Sequence, residues 1–294
     1  VLTSLLGQTL TDFDVIISSQ TGPNQDYLDN VEIQTLVQAL SLRGQRVTLL
    51  RHLPRRGLAE HRQFLLEQSH APYVHFLDDD VLLDPMVMER MLGIIRYEGC
   101  GFVGCRRSGY SSFMTSCHTS CATSNHGRNR SAQSRSPQTL SRGNGIVNNA
   151  ANPLHLEQQY CRAGQIVRYK VAWVGGVNVL YDRAKLLSVG GFSWWERLPP
   201  EHAGEEVEAQ FLLIRKYGGC GILPSGTYHL GLPTTIPERK RNATELFGQL
   251  IEEFNVHPEG PVEPVLLDPD EPAGPAGALA RRAPHHWSEQ EETQ

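Results

Sequence analysis

The sequence predicts an α/β fold, and three observations carry the prediction. Over residues 12–105 strand-like and helix-like segments alternate, the pattern of strands joined by crossover helices. One of those strands, residues 73–77 (YVHFL), runs straight into three carboxylates, Asp78, Asp79 and Asp80. The chain has 294 residues with 39% apolar content, enough for one large core or two small ones.

Each element has its own signal. Residues 12–19 (DFDVIISS) read as a strand of β-branched residues. Asn30 can cap a helix that carries Ile33, Leu36, Val37 and Leu40 on one face. Residues 46–51 form a second strand, and 57–69 a helix carrying Arg62. The third strand spans 73–80. Asp84-Pro85 then opens a helix with Val87, Met91, Ile94 and Ile95 at helical spacing. Residues 101–105 are a further strand.

From 106 to 149 the character changes to Ser, Arg, Thr, Asn and Gly, with no Asp or Glu between Glu98 and Glu157. Such a segment buries too little apolar surface to offset its ordering entropy, so it is expected to be a disordered insertion. Within it, Cys117, His118, Cys121 and His126, with Cys105 nearby, offer zinc ligands but lack the paired C-x2-C spacing. Order is expected to resume with strands over 168–174 and 178–181. Gly190-Gly191-Phe192 ends a short helix, 204–217 is a helix with Val207, Phe211 and Ile214 inward, and 221–224 is a short strand. Beyond 256 the chain is rich in Pro, Ala, Gly and Glu and reads as a flexible tail.

Composition excludes several classes. A net charge of −5 argues against a nucleic-acid binder. The sequence has no run of 18 apolar residues, so no transmembrane helix is predicted. Six widely spaced cysteines do not make a disulfide framework, and reduced thiols in a cytoplasmic protein, in solution or at a membrane surface, are the expectation. The first residues (VLTSLLG) lack a basic leader and read as part of a helix, so upstream sequence is expected.

The aspartates at a strand end carry the first chemical clue. The carboxyl edge of an open α/β sheet is where ligands bind. Three like charges there repel, and a hard divalent cation bound to phosphate oxygens would neutralise them. A solvated acidic turn is the plain alternative.

Four segments in order resemble family 2 glycosyltransferases. Residues 57–63 (GLAEHRQ) resemble a Gly-x-x-x-x-Arg-Asn helix start, and 76–80 (FLDDD) an Asp-x-Asp signature. Residues 173–192 (WVGGVNVLYDRAKLLSVGGF) resemble a Gly-Gly-x-x-x-x-Arg…Gly-Gly-Phe segment, and 204–207 (GEEV) stand where the family has Gly-Glu-Asp. The resemblance implies the GT-A fold, a Rossmann-like mixed sheet flanked by helices. Residues 1–105 would then be the nucleotide-sugar-binding half and 150–255 the acceptor-side half, with 106–149 an insertion and 256–294 a tail. It implies that Arg62, Asp78, Asp79, Gly175 and Gly176 contact the donor, and that Asp80, with His229, holds Mg2+ or Mn2+ on its diphosphate. Glu206 stands at the catalytic base and Glu205 beside it.

Each of these residues also has an ordinary reading. Arg62 suits a solvated helix face, the glycine pair a turn, the glutamates an acidic first helical turn, and His229 a surface or core site. Trp194-Trp195 is a candidate sugar platform. Two departures stand out. The family's first, nucleobase-cupping strand has no counterpart, and Ser18-Ser19-Gln20-Thr21 replaces an Asp-Asp-Gly-Ser strand end.

The implied function is metal-dependent, inverting, non-processive transfer of a sugar from a nucleotide-sugar donor to a hydroxyl of a glycan, lipid or small-molecule acceptor. Two rivals are a degenerate, non-catalytic sugar-nucleotide or glycan-binding protein and a metal-dependent nucleotidyltransferase. The latter class has a Gly-rich basic N-terminal loop that this sequence lacks.

Overall fold

The computed structural model describes residues 1–22, 26–106, 108–109, 153–162, 164–171, 173–232 and 238–257. Most of the expected insertion and tail, including Cys117, His118, Cys121 and His126, lies outside the described residues.

A five-stranded mixed sheet forms the centre. It contains β3 (Tyr73–Leu77), β5 (Phe102–Cys105), β7 (Val167–Lys170), β8 (Asn178–Asp182) and β10 (Gly219–Leu223), in the order β3-β8-β5-β10-β7. The strands β5 and β10 are parallel, whereas β8 and β7 run against their neighbours. Both β5 and β10 are buried along their whole length. Their small residues make this possible. A Cβ on Gly219 would stand 2.2 Å from the Phe102 ring, and one on Gly221 2.4 Å from the Tyr169 ring.

Helices cover the sheet. They are α1 (Leu2–Leu6), α2 (Val31–Leu42), α3 (Leu58–Gln68), α4 (Val87–Glu98), α5 (Pro153–Tyr160), α6 (Arg183–Ser188), α7 (Glu205–Lys216) and α8 (Phe247–Glu253). The α4 helix buries Val87, Met88, Met91, Ile94 and Ile95, the face its spacing predicts. One core cluster gathers Phe76, Tyr181 and Phe192, with Phe76 edge-on to Tyr181 at 5.9 Å and to Phe192 at 5.8 Å. Gly190 and Gly191 end α6 with φ of 90° and 58°, a turn that favours glycine. Gly191 also lets Gln63 approach, and the Phe192 N–H donates to Gln63 Oε1 at 2.9 Å.

Three differences from the sequence reading matter. The strand at 73–80 stops at Leu77, and after Asp78–Asp80 a separate strand, β4 (Val81–Leu83), begins. It pairs antiparallel with β11 (Thr227–His229), which also pairs with β6 (Ser108–Gly109). The strand expected over 168–174 ends at Lys170, so residues 173–177 lie outside the strands. Finally, α7 buries Glu205, Glu208 and Gln210 along with Ile214, while Val207 and Phe211 are only half-buried.

The strands β1 (Val15–Ser19) and β2 (Val47–Arg51) form a separate two-stranded parallel sheet. Among the described residues, one edge of β1 and one edge of β3 have no strand partner. Both strands line a cleft of about 2200 Å3, together with Phe13, Ile33 and Leu36.

Candidate active site

The C-terminal ends of β3 and β11 build the first half of the site. β4 and β11 pair Val81 with His229, which brings the imidazole beside the aspartates just before β4. His229 Nε2 lies 3.2 Å from Asp80 Oδ2. The Gly231 N–H lies 3.0 Å from His229 Nδ1, which leaves Nε2 as the ring nitrogen on the aspartate side. One ligand atom each from Asp78, Asp80 and His229 lie within 4.8 Å of one another. Two carboxylates and an imidazole suit Mg2+ or Mn2+. Asp79 stands outside this cluster. It is exposed, and its charge acts on the Val1 amine and the Tyr27 phenol.

Helices α3 and α7 build the second half. Gly57 starts α3 with φ of 110°, and a Cβ there would stand 2.5 Å from the His202 ring. His202 sits in β9 (His202–Ala203), is buried, and accepts the Ala59 N–H at 3.1 Å through Nε2. Its Nδ1 donates to the Pro199 carbonyl at 2.7 Å. The α3 start is thereby tied to the residues before α7. One turn later Arg62 donates from Nε to Glu205 Oε1 at 3.2 Å and lies 3.8 Å from Asp78. Its guanidinium also stacks over the Phe76 ring at 5.5 Å.

Charge is unevenly settled here. Burial works against the Arg62 cation, yet Glu205, Asp78 and Glu206 together hold its pKa above the ordinary value. Burial raises Asp78, and Arg62 opposes that. Glu206 is pushed up to about 7, first by burial and then by the neighbouring Glu205 carboxylate, with Arg62 pulling the other way. Glu205 is the ion-pair partner of Arg62, and Glu206 carries the raised pKa. Gly176 is buried against both, and a Cβ on it would meet Glu206 Cγ at 2.8 Å and Arg62 Nη2 at 3.1 Å. Gly175 has open space around it.

All the residues singled out by sequence line the one cleft: Arg62, Asp78, Asp79, Asp80, Gly175, Gly176, Glu205, Glu206 and His229. The tryptophans fare differently. Trp194 is buried in the core, and Trp195 is half-buried with Arg56 5.9 Å over its ring, so neither offers a bare stacking face. Sequence reasoning missed a polar group at the end of β1. His61 Nε2 bonds Ser18 Oγ at 2.8 Å, and His52 Nε2 bonds Glu60 Oε1 at 2.6 Å while stacking on Phe64. Burial, then His52, pushes His61 down to about 4, so its ring is neutral. The alternation of His52, His61 and Phe64 carries no period that marks it in advance.

The model of glycosyl transferase family 2 matches residues 1–144. Over that stretch, just under half of the chain, it is similar to this family, and the fold is a helix-flanked mixed sheet. No curated protein matches the chain. Among solved structures it is similar to the mannosyltransferase PcManGT of Pyrobaculum calidifontis in complex with GDP-Man and Mn2+. That match has 12% identity and a TM-score of 0.48, over 80% of this chain and 53% of that one. It is also similar to S. aureus TarS 1-349 (11% identity, 87% and 59% covered, TM-score 0.47) and to the same protein with UDP-GlcNAc (13%, 87% and 61%, 0.46). The chain thus spans between 53% and 61% of the length of these structures. Likeness at this level adds nothing to what the site's own geometry says. No described helix is long and apolar enough to cross a membrane.

Proposed function

We propose that the chain transfers a sugar from a nucleotide-sugar donor to an acceptor hydroxyl, with metal dependence, inversion and one sugar per encounter. The observation that carries this reading is the pairing of two groups in one cleft. A cluster of Asp78, Asp80 and His229 faces the same space as Glu206, whose carboxyl is held near neutrality.

In this reading Asp78, Asp80 and His229 would hold Mg2+ or Mn2+, which supplies charge neutralisation for a departing nucleoside diphosphate. Arg62, fixed by Glu205, adds positive charge on the donor side of the cleft. The backbone at Gly175 and Gly176 leaves room for sugar or acceptor. Glu206 removes the proton of the acceptor hydroxyl as its oxygen bonds the anomeric carbon. The bond to the diphosphate oxygen breaks, and that oxygen keeps the electron pair. Attack from the face opposite the leaving group inverts the carbon.

The test is product release from a panel of UDP- and GDP-sugars in Mn2+. Free UDP or GDP that depends on Mn2+ and on Glu206 supports transfer. Pyrophosphate release would instead indicate nucleotidyl transfer. Tight donor binding with no release of either would indicate the binding-only protein, a reading favoured by the missing acid at Ser18–Thr21.

A further inference from the structure

We infer that Gln210 is a positioning residue whose side-chain amide fixes the Val174–Gly176 backbone in register with Glu206. The inference rests on the transferase reading above for its consequence, and on the geometry alone for the contact. Residues 173–177 lie between β7 and β8 and belong to neither strand. The peptide groups of Val174 are nevertheless paired. Its N–H donates to Gln210 Oε1 at 2.7 Å, and Gln210 Nε2 donates to its carbonyl at 3.1 Å. A carboxamide presents a donor and an acceptor side by side as a peptide does, so this pair equals one bridge of a sheet made by a side chain. Nε2 also lies 3.5 Å from the Tyr181 hydroxyl on β8.

The contact is shut off from water, because Gln210 has no exposed surface and Val174 is buried. Leaving buried amide groups unpaired is costly, so the arrangement is strongly held. The Val174 side chain is fixed from the opposite direction. Its Cγ2 fills the space over Gly104 of β5, only 2.0 Å from where a Cβ would stand. Two residues along, Gly176 packs on Glu206 Cγ and Arg62 Nη2. Glu206 and Gln210 are one turn apart on α7 and so share a face. The helix that carries the base therefore also grips the peptide two residues before the glycine that the base touches. Base and cleft floor are set by one rigid element, and misplacement by about an ångström is enough to cost about 10²-fold in rate.

Gln210→Met keeps length and volume and removes both bonds. Gln210→Glu keeps the acceptor for the Val174 N–H and, read at a pH high enough to ionise the buried carboxyl, removes the donor. Amide hydrogen exchange is read first. In Gln210→Met the Val174 amide should exchange about tenfold faster or more, while the Val103 and Ile222 amides in β5 and β10 keep their protection. Turnover per folded molecule, followed as UDP or GDP release from the sugar donors in Mn2+, should fall about 10²-fold with the donor KM unchanged, and Gln210→Glu should lie between. If Gln210→Met loosens β5 and β10 as well, the same criteria are read on Gln210→Glu. Parent-like protection of Val174, or a loosened Val174 with undiminished turnover, overturns the inference. A parent chain that releases no nucleoside diphosphate sinks the transferase reading instead, and the exchange result then decides the clamp by itself.

Discussion

Burial and the adjacent Glu205 carboxylate push Glu206 up to about 7, and this sets a pH profile. Below that value the carboxyl keeps its proton and cannot accept one from a hydroxyl. Above it the carboxylate is available. The turnover number should therefore rise as pH passes about 7 and then level, and a profile flat from about pH 5 to about 8 would contradict the role. Glu206→Gln keeps the shape and removes the base, so turnover should drop about 10²–10⁴-fold with donor affinity kept. A variant that transfers sugar at the parent rate would put the base elsewhere. At this scale the gathering of Asp78, Asp80 and Glu206 in one cleft was legible, because acids at a strand end and a helix start carry recognisable spacing. Gln210 and His202 were not. Each acts by bonding a backbone group distant in sequence, Val174 or Ala59, and no local pattern announces that.

Helix α7 buries a second carboxyl that takes no part in the site. Glu208 has no exposed surface, neither of its oxygens has a partner among the described residues, and burial pushes it up to about 8. The unfolded chain releases this proton near the ordinary glutamate value of about 4.3. Between about 4.3 and about 8 the folded state holds a proton that the unfolded state has lost, so this group's contribution to stability falls as pH rises through that window. Glu208→Gln should thus raise the melting temperature at pH 7.5 or so and flatten the dependence of stability on pH. Urea denaturation across pH measures both, and a parent-like slope in the variant would show that Glu208 has a partner or water. The helix itself was legible from residues 204–217, but its inward face was not. Periodicity assigns burial to apolar residues such as Val207 and Phe211, whereas α7 turns Glu205, Glu208 and Gln210 inward to meet Arg62, the core and Val174. The glycine-rich strands were legible only in part, since Gly104, Gly219 and Gly221 are placed by rings and side chains on other elements.

Among the described residues the central five-stranded sheet and the separate β1–β2 pair both line the cleft. The alternation of strands and helices foretold the α/β class. It implied parallel strands over 12–105, while the mixed sheet implied by the resemblance is completed by β7 and β8, whose antiparallel pairing is long-range and not encoded in local pattern. The facing edges of β1 and β3 leave backbone groups without strand partners, and the apolar face of α2 keeps Ile33, Leu36 and Val37 only half-buried. Amides of β1 and β2 should therefore lose hydrogen-exchange protection well before those of β5 and β10, in a separate opening step. Equal protection in both sheets would show that the two move as one unit. Arg62 reaches from α3 to Asp78 and Glu205. The central claim is that the cluster at the end of β3 binds a nucleoside diphosphate through a divalent cation. Calorimetric titration of UDP and GDP into the parent chain and into Asp80→Ala, in Mn2+ and in EDTA, tests it most directly. The parent should bind one of the two in Mn2+ alone, and Asp80→Ala should bind neither under either condition. Affinity that survives EDTA, or that Asp80→Ala leaves undiminished, would contradict it.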